Sequence, residues 1–460
     1  MLVKGNTDKN SGVTHYEVDA SISYSGFRGV IWVQSAQECG LAFSHIQIKI
    51  NFTNEPIAPL RNCPNCFKPF EDGHSNIFIM KITDIQIHVL KSPLAEPFAF
   101  SQGWVKQRCA TLIEVLTDEG ISGWGESFAQ GLEPPEIAAT VIDKALKPLV
   151  VGADPLDIEV LWHRMYNMTR DFGRKGSVIS GISAVDIALW DIAGKFYGQP
   201  IYKLLGGAFR LQVKPYATGF YRIKGQGEAQ RLADEAIRHF EAGFTLMKVK
   251  LGYGVDDDMA CMNAIGKAIQ GKPIKLMVDT NHAYGRAEAL RLGRALEGFD
   301  LYWYEEPVVP EDIQGYVEMR QKLSMPIAGG ENEHTLYGYR ELLGAGGLDI
   351  AQPDLGSCGG ISAGRHIMAL AQSHGVQVNP HVWGSAIAQA ASLQLIAALP
   401  VAHHSLFAQQ PVLEYDRSSH PFRQQLTTTP IELVDGWVNI PSRPGLGVEV
   451  DRTVLDKYRN

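Results

Sequence analysis

Short apolar runs alternate with helical patterns through the second half of the chain. The runs span 213–219, 246–252, 276–281, 301–307, 325–332, 348–354, 376–383 and 404–410. Between most of them the apolar residues have helical spacing, as at 286–299 and 363–376. Eight strands and about seven helices in this order predict a closed parallel α/β barrel of the TIM type. An open doubly wound sheet is the alternative, but no G-x-G-x-x-G turn follows a first strand.

Residues 80–205 show a different pattern of predicted elements, in which strands and helices do not strictly alternate. Residues 80–90 alternate polar and apolar side chains, and 108–127 resemble two strands around a glycine turn. Residues 180–200 have the spacing of an amphipathic helix that ends at Gly198-Gln199-Pro200. We therefore predict an α+β domain at 80–205 and the barrel at 206–415. Residues 1–79 show no sustained helical period, and we expect an extension outside the functional protein.

Composition and charge exclude only a few functions. The 460 residues are 45% apolar and 20% charged, with a net charge of −8. No block of Lys or Arg indicates a nucleic-acid partner, and no apolar run of about 18 residues predicts a membrane span. The six cysteines are scattered apart from Cys63 and Cys66, so we expect free thiols and a cytoplasmic protein. With His74, that pair is at most half of a zinc knuckle.

Acidic side chains stand where three successive predicted strands end. Asp279, Glu305 and Glu331 follow one another at intervals of 26 residues, about one strand–helix unit. Because the C-terminal strand ends of a barrel form one face, the three acids are expected at the same height. Each acid taken alone is more typical of a helix N-cap or a turn. Together they repel unless a cation lies between them, and three oxygen ligands suit Mg²⁺.

Basic side chains at neighbouring strand ends are candidates for proton transfer. Lys248 and Lys250 are two residues apart on one strand, so both point to the same face. Two close ammonium groups lower each other's pKa, which suits one of them to act as a base. A surface strand with solvated lysines is the alternative, although Met247 and Val249 alternate with the lysines and can face the helices.

A carboxylate and an imidazole end the next two predicted strands, at Asp354 and His381. Such a pair orients the ring and raises its pKa, which gives a second acid or base. A buried histidine with a structural role is the alternative. With a divalent cation between them, Lys250 and His381 can remove a proton next to a carboxylate, while the cation stabilises the resulting enediolate.

Six short motifs, in this order and spacing, resemble the enolase superfamily and its mandelate racemase subgroup. They are K-V-K (248–250), V-D-T-N (278–281), E-E-P (305–307), G-E-N (330–332), Q-P-D (352–354) and P-H (380–381). The resemblance covers about 80–450 and implies an α+β capping domain and a modified (β/α)7β barrel. It also implies that a C-terminal segment, 416–460, returns to the cap, and that the protein is a homo-oligomer.

The resemblance places roles on particular residues. It implies one Mg²⁺ per active site, Lys250 and His381 as bases, and a Glu414 that hydrogen-bonds the substrate carboxylate. Arg170, in a cap loop, is a candidate to pair with a distal carboxylate; an exposed arginine without a catalytic role is the alternative. The full candidate set is Asp279, Glu305 and Glu331 for metal; Lys250, His381, Asp354 and Lys248 for catalysis; and Asn281, Glu414 and Arg170 for substrate.

Several stretches are most similar, within the subgroup, to bacterial enzymes that act on sugar acids or their lactones. Such enzymes remove the proton α to a carboxylate and then open an aldarate lactone by β-elimination, or dehydrate an aldonate or aldarate. A racemase or epimerase of a 2-hydroxy acid would use the same residues, and a non-catalytic sugar-acid binding barrel is a third hypothesis. Binding alone needs no paired bases, so Lys250, Asp354 and His381 favour a Mg²⁺-dependent lyase or isomerase.

Overall fold

The computed structural model describes residues 2–7, 14–19, 29–34, 48–52, 80–129 and 131–459. The chain divides into two compact units, 1–77 and 78–460. The first unit contains an antiparallel sheet in the order β1 (Leu2–Thr7), β2 (Thr14–Asp19), β3 (Gly29–Gln34) and β4 (Ile48–Phe52). Cys63, Cys66 and His74 lie outside the described residues. The domain boundaries predicted at 79, 205 and 415 stay predictions.

The second unit begins with an antiparallel sheet and five helices, which we call the cap. Its elements are β5 (Ile82–Phe100), β6 (Gly103–Thr117), β7 (Ser122–Ser127), α1 (Glu136–Val141), α2 (Lys147–Val150), α3 (Ile158–Thr169), α4 (Ser177–Phe196) and α5 (Ile201–Leu204). A π-helical turn, Ile142–Leu146, joins α1 to α2. Of the described helices only α4 is long and apolar enough to cross a membrane, and 94% of its apolar window is buried. It is therefore a core helix of the cap.

Eight parallel strands and seven helices follow, and they form a barrel. The strands are β8 (Gln212–Gly219), β9 (Leu246–Lys250), β10 (Lys275–Asp279), β11 (Tyr304–Glu305), β12 (Ile327–Gly329), β13 (Ile350–Ala351), β14 (Gln377–Val378) and β15 (Val412–Asp416). The helices between them are α6 (Ala229–Glu241), α7 (Val255–Ala268), α8 (Arg286–Leu296), α9 (Ile313–Lys322), α10 (Thr335–Gly344), α11 (Gly360–Ser373) and α12 (Ala386–Ala398), with a 3-10 turn at Glu297–Phe299. Each strand pairs with the next from β8 to β14, and β15 pairs with β8. The predicted (β/α)7β barrel is confirmed.

The barrel closes differently at its last junction. No backbone ladder joins the described residues of β14 to those of β15. Instead, the backbone N–H of Val412 donates to the side-chain Oδ1 of Asn379 at 3.0 Å. The buried side chain of Asn379 thus links β14 to β15, where no backbone pairing closes the ring of strands.

Side chains inside the barrel change character along its axis. A buried apolar cluster at the N-terminal strand ends includes Leu246, Met277 and Trp303. Lys248 and Lys250 follow Leu246 with the strand period of two and are buried inside. Met247 and Val249 pack in the larger core shared with the helices. The predicted division of this strand into two faces is confirmed.

The eighth strand was predicted at 404–410, and this prediction is wrong. Leu406 and Phe407 are 96% and 95% exposed in a loop, and the strand is Val412–Asp416 instead. A short apolar run does not by itself distinguish a strand from an exposed loop. The correction places Glu414 on the last strand of the barrel, where its side chain is buried.

The C-terminal segment contacts both the barrel and the cap. Its elements are α13 (Pro421–Gln424), β16 (Leu433–Val434), β17 (Trp437–Asn439) and α14 (Arg452–Tyr458). Strand β17 pairs antiparallel with β8. Arg459 forms a backbone bridge with Leu90 of β5, and Arg452 donates two hydrogen bonds to Glu114 of β6.

Helix α4 packs so closely on β7 that two strand positions have no room for a side chain. A Cβ at Gly125 would lie 1.9 Å from the carbonyl oxygen of Ala184, and a Cβ at Gly123 would lie 2.1 Å from that of Ala188. Gly125→Ala must push the helix away, and we expect a loss of about 1–3 kcal/mol in unfolding free energy. Urea unfolding measures this loss. Gly285→Ala is the control, since nothing lies within 4 Å of its Cβ position; equal stability of the two variants would contradict the packing argument.

His88 makes the stability of the cap depend on pH. Its ring is buried, lies 5.5 Å from that of Trp124, and has no hydrogen-bond partner among the described residues. Burial, assisted by Arg459, lowers the pKa of His88 to about 4. An imidazole with a folded pKa below its unfolded value of about 6.5 destabilises the fold as the pH falls from 6.5 towards 4.

We expect His88 to remove about 2 kcal/mol of unfolding free energy between pH 7 and pH 5. Urea titrations at both pH values measure this loss, and His88→Leu should reduce it by that amount. Replacing the exposed His404 with Leu should keep the wild-type difference. If His88→Leu loses as much stability on acidification as the wild type does, another group is responsible.

Candidate active site

The three predicted acids come together at the C-terminal end of the barrel. Asp279 ends β10, Glu305 ends β11, and Glu331 follows β12. One carboxylate oxygen of each lies within 4.8 Å of the others, and all three side chains are buried. Parallel pairing fixes this arrangement, because Asp279 is in register with Glu305. The Oε2 atom of Glu331 is buried without a hydrogen-bond partner among the described residues. Three converging oxygens of this kind suit a hard divalent cation.

The two lysines lie against these acids. Lys248 donates to Glu305 Oε1 at 2.6 Å and approaches Glu414 Oε1 at 2.9 Å. Lys250 donates to Asp279 Oδ2 at 2.6 Å and to Asn281 Oδ1 at 3.0 Å. Both ammonium groups are therefore held by carboxylates at the mouth of the barrel.

The predicted pKa depression of the lysines is wrong for this arrangement. Burial lowers the pKa of Lys250, and so does Lys248, but the charges of Asp279, Glu331 and Glu305 together outweigh these two effects and the pKa is raised. The pKa of Lys248 is also raised, because Glu305 and Glu414 outweigh its burial. The two lysines do repel each other, but the attraction of the surrounding acids is the larger effect. A base at Lys250 therefore requires positive charge that competes for Asp279.

The acids themselves are strained electrostatically. Burial, together with the charges of Asp279 and Glu331, raises the pKa of Glu305 to about 8 against the opposing ammonium of Lys248. Like charges in a buried site favour the neutral acid unless a cation balances them. The negative charge of the acids therefore exceeds what the two lysines balance. An excess of this kind is typical of a site that binds a metal cation.

His381 and Asp354 form the predicted pair. Asp354 Oδ2 lies 2.6 Å from His381 Nδ1, and both residues are buried. Burial lowers the pKa of His381, but Glu331, Glu414 and Asp354 raise it to about 10. Because Asp354 engages Nδ1, the other ring nitrogen, Nε2, is left towards Glu331 at 3.5 Å. The ring is thus oriented with one nitrogen free for chemistry.

One small pocket joins the two candidate bases. It is lined by Phe100, Tyr221, Lys250, Asn281, Glu331, His381 and Trp383. Asn281 is held in the left-handed region with φ 41°, and its N–H donates to Asp279 Oδ1 at 2.8 Å. The strand-end turn that exposes Asn281 therefore also orients the first acid.

The structure places the two remaining predicted residues differently. Glu414 is buried beside the site, where its oxygens accept from Thr218 at 2.7 Å and from the N–H of Val382 at 2.9 Å. Lys248 and His381 lower its pKa even though burial raises it. Arg170 is not brought to this site. It lines a separate cavity between the cap and barrel residues such as Glu333 and Arg340, lies over the ring of Tyr166 and donates a hydrogen bond to Asn167.

Sequence reasoning missed a buried link between the cap and the barrel. Arg108 of β6 pairs with Asp416 of β15 at 2.8 Å, and its guanidinium lies 4.1 Å from the ring centroid of Trp383. Trp383 Nε1 donates to Tyr221 at 2.6 Å, and Tyr221 donates to Asp416 at 3.0 Å. This network sets two walls of the pocket shared by the bases. No local signal marks it, because its partners are far apart in sequence.

Comparison with known proteins identifies the family. Residues 82–206 match the mandelate racemase/muconate lactonizing enzyme N-terminal domain, and residues 231–454 match the enolase C-terminal domain-like family. The chain belongs to the mandelate racemase/muconate lactonizing enzyme family of the enolase superfamily. Members of this superfamily bind Mg²⁺, and the acid triad of this chain lies where its barrel strands end.

Relatives within the family act on sugar acids. A D-galactarolactone cycloisomerase of Agrobacterium fabrum is 40% identical over 83% of this chain and 99% of the relative. An arabinonate dehydratase of Saccharolobus solfataricus is 35% identical over 75% of this chain and 89% of the relative.

Solved structures agree with this membership. A 3,6-anhydro-D-galactonate cycloisomerase from Zobellia galactanivorans is 37% identical, with a TM-score of 0.74 over 83% of this chain and 99% of the other. A racemase from Streptomyces coelicolor A3(2) with bound magnesium is 29% identical, with a TM-score of 0.74 over 82% of this chain and 100% of the other.

Magnesium is expected to stabilise the folded protein through the acid triad. At a free concentration of 100 times Kd, binding adds about 2.7 kcal/mol of stability. Thermal unfolding with and without MgCl₂ measures the gain, and Glu331→Gln should lose most of it. Glu333→Gln is the matched control, since Glu333 pairs with Lys175 and is not one of the three acids. If both variants respond to magnesium like the wild type, the triad is not the binding site.

Proposed function

We propose that this chain is a metal-dependent enzyme that removes the proton α to a carboxylate of a sugar acid, or of its lactone, and then eliminates the β-oxygen. The observation that carries the proposal is the single pocket bordered by Lys250, by His381 and by Glu331 of the acid triad. The sugar-acid cycloisomerases and dehydratases among the relatives support the substrate class.

The acid triad would hold one Mg²⁺. The hard carboxylate oxygens of Asp279, Glu305 and Glu331 match this ion, and Oε2 of Glu331, which accepts no hydrogen bond from the described residues, fits a ligand role. When bound, the cation supplies positive charge that acidifies the carbon next to a carboxylate. The same charge opposes the effect of Asp279 on Lys250 and favours the neutral amine.

The proton-transfer residues then take different roles. We assign proton removal to Lys250, which Asn281 and Asp279 orient from two sides. His381 is the acid in dehydration, because the Asp354 carboxylate at 2.6 Å stabilises its imidazolium form. Its Nε2 then delivers a proton to the departing hydroxyl oxygen. Lys248, further inside and bonded to Glu305 and Glu414, maintains the charge balance beneath the site.

The remaining expectations stay predictions. A homo-oligomer and a cytoplasmic setting follow only from the resemblance and the composition. Racemisation uses the same two bases but breaks no C–O bond, so product analysis distinguishes it from elimination.

Exchange of the substrate α-proton with solvent distinguishes the roles of the two bases. In D₂O with Mg²⁺ and a panel of aldonates, aldarates and aldarolactones, proton NMR follows both α-proton loss and product. Lys250→Met should lower both rates by about 10³-fold, since a general base contributes about 10²–10⁴. His381→Asn should retain α-proton exchange with a dehydratable substrate while losing most of the elimination.

The exposed Lys203 provides the control as Lys203→Met, which should match the wild type. Wild-type exchange in Lys250→Met would overturn the assignment of the base. Conversion of substrate to its epimer without elimination would replace the proposed lyase or isomerase reaction by a racemase reaction.

A further inference from the structure

The end of β7 in the cap reaches the barrel beside His381. Phe128, the first residue after this strand, lies half-buried against the imidazole, with the two ring centroids 5.4 Å apart and the ring planes at 77°. The same phenyl ring packs against an aromatic cluster that includes Tyr221 and Trp383. A residue that belongs to the cap in sequence is therefore in contact with a proton-transfer group of the barrel.

The backbone of Phe128 is bonded to the loop that carries the partner of this histidine. Its N–H donates to the carbonyl oxygen of Gly356 at 3.0 Å, and the N–H of Gly356 donates to Asp354 Oδ1 at 2.7 Å. The two segments approach so closely that a Cβ at Gly356 would lie 3.0 Å from the Cβ of Phe128. One cap residue thus contacts His381 through its side chain and the loop of Asp354 through its backbone.

Glu126, two residues earlier on β7, fixes the chain that follows His381. Its buried carboxylate accepts from the N–H of Ser385 at 2.8 Å and from that of Ala388 at 2.9 Å, and it also accepts from the Ser385 hydroxyl. Ser385 is the N-cap of α12 and follows the histidine by four residues. The end of β7 therefore holds both of the barrel loops between which the Asp354–His381 contact is made.

A different part of the cap holds the loop beside the other base. At the turn between β5 and β6, Ser101 Oγ donates to the carbonyl oxygen of Thr280 at 2.8 Å, and Gln102 Nε2 donates to that of Asn281 at 2.6 Å. The side chain of Asn281 in turn accepts from Lys250. Separate segments of the cap consequently support the two proton-transfer groups, so one group can be displaced without the other.

The contact with Asp354 alone does not fix the imidazole. It fixes the position of Nδ1, but the ring can still tilt about that atom, and a tilt moves Nε2. In dehydration the electron pair left by the α-proton forms the C=C bond, the C–O bond at the β-carbon breaks, and its oxygen leaves as water with the proton from Nε2. Packing against a phenyl ring restricts the tilt. A displacement of about 1 Å in such a group lowers a rate by up to about 10²-fold.

We propose that Phe128 is a positioning residue for the proton donor: it holds the imidazole of His381 in the orientation that protonates the departing oxygen, and it takes no part in removing the α-proton. The inference rests on the proposed function, in which His381 is the acid and Lys250 is the base. Through the end of β7, the cap then determines how often a deprotonated substrate continues to product instead of returning to substrate.

Comparing elimination with loss of the α-proton tests the proposal. The Mg²⁺-loaded enzyme is given, in D₂O, a sugar acid or lactone from which the wild type eliminates, and proton NMR measures both rates in the same sample. Phe128→Leu keeps an apolar side chain but removes the ring. Elimination should fall about 10–100-fold, while total α-proton loss, by exchange or elimination, stays within about threefold of the wild-type rate. Phe128→Tyr restores a ring and should recover most of the elimination.

Phe196→Leu is the matched control. Phe196 also lies in the cap, at the end of α4, is 41% exposed, and has its ring centroid 5.1 Å from that of Tyr197. This variant should match the wild type in both rates. The His381→Asn background provides a second control. There Phe128→Leu should change neither rate by more than about twofold, because a residue that acts through the imidazole has no effect once the imidazole is removed.

The outcomes separate this inference from the proposed function. If Phe128→Leu lowers both rates equally, lowers neither, or keeps its full effect in the His381→Asn background, Phe128 does not act through the imidazole. The inference is then overturned and the proposed reaction stands. If His381→Asn keeps the wild-type rate of elimination, the assigned acid is wrong and the inference fails with that assignment. If the wild type removes the α-proton of no sugar acid or lactone, the proposed function itself fails.

Discussion

The rest of this structure depends on the concentration of acids in a buried space. Two like charges about 4 Å apart repel by about 4 kcal/mol even at an effective dielectric constant of 20. Asp279, Glu305 and Glu331 are held at such separations by parallel strand pairing, which the surrounding core makes rigid. Lys248 and Lys250 offset part of this repulsion. Tightly packed apolar side chains fill the opposite end of the barrel. Their burial offsets the free-energy cost of the charged end.

Register is the feature by which the sequence specifies this arrangement. A slip of one residue in a strand would turn its inward side chains outward. Lys250 pairs with Asp279, and Asp279 pairs with Glu305, so a lysine and two acids share one level of the barrel. A regular repeat of 26 residues is enough to predict this level, because each strand–helix unit brings the chain back to the same height. For this reason the metal and proton-transfer candidates were predictable from sequence.

The parts that sequence reasoning did not predict depend on contacts without a local pattern. Arg108 and Asp416 are 308 residues apart, and nothing in either neighbourhood indicates the partner. The misplaced eighth strand has a similar cause, since the exposed Leu406 and Phe407 resemble a strand in composition but pack against nothing. The raised pKa of Lys250 could not be inferred from its spacing to Lys248, because the acids that the fold gathers around it decide it.

The seam between β14 and β15 makes the closure of the barrel depend on individual side chains. Elsewhere in the ring, neighbouring strands share backbone hydrogen bonds, but here the side chain of Asn379 makes the link to Val412. Two further bonds cross this junction, from the N–H of Val382 to Glu414 and from Gln377 Nε2 to the carbonyl of Gln410, so side chains rather than a backbone ladder hold it together. His381 follows the strand on one side and Glu414 lies on the other. A substitution at Asn379 or at Glu414 therefore removes a link of the ring close to the imidazole, whereas the three acids lie on strands held by backbone pairing or shortly after them.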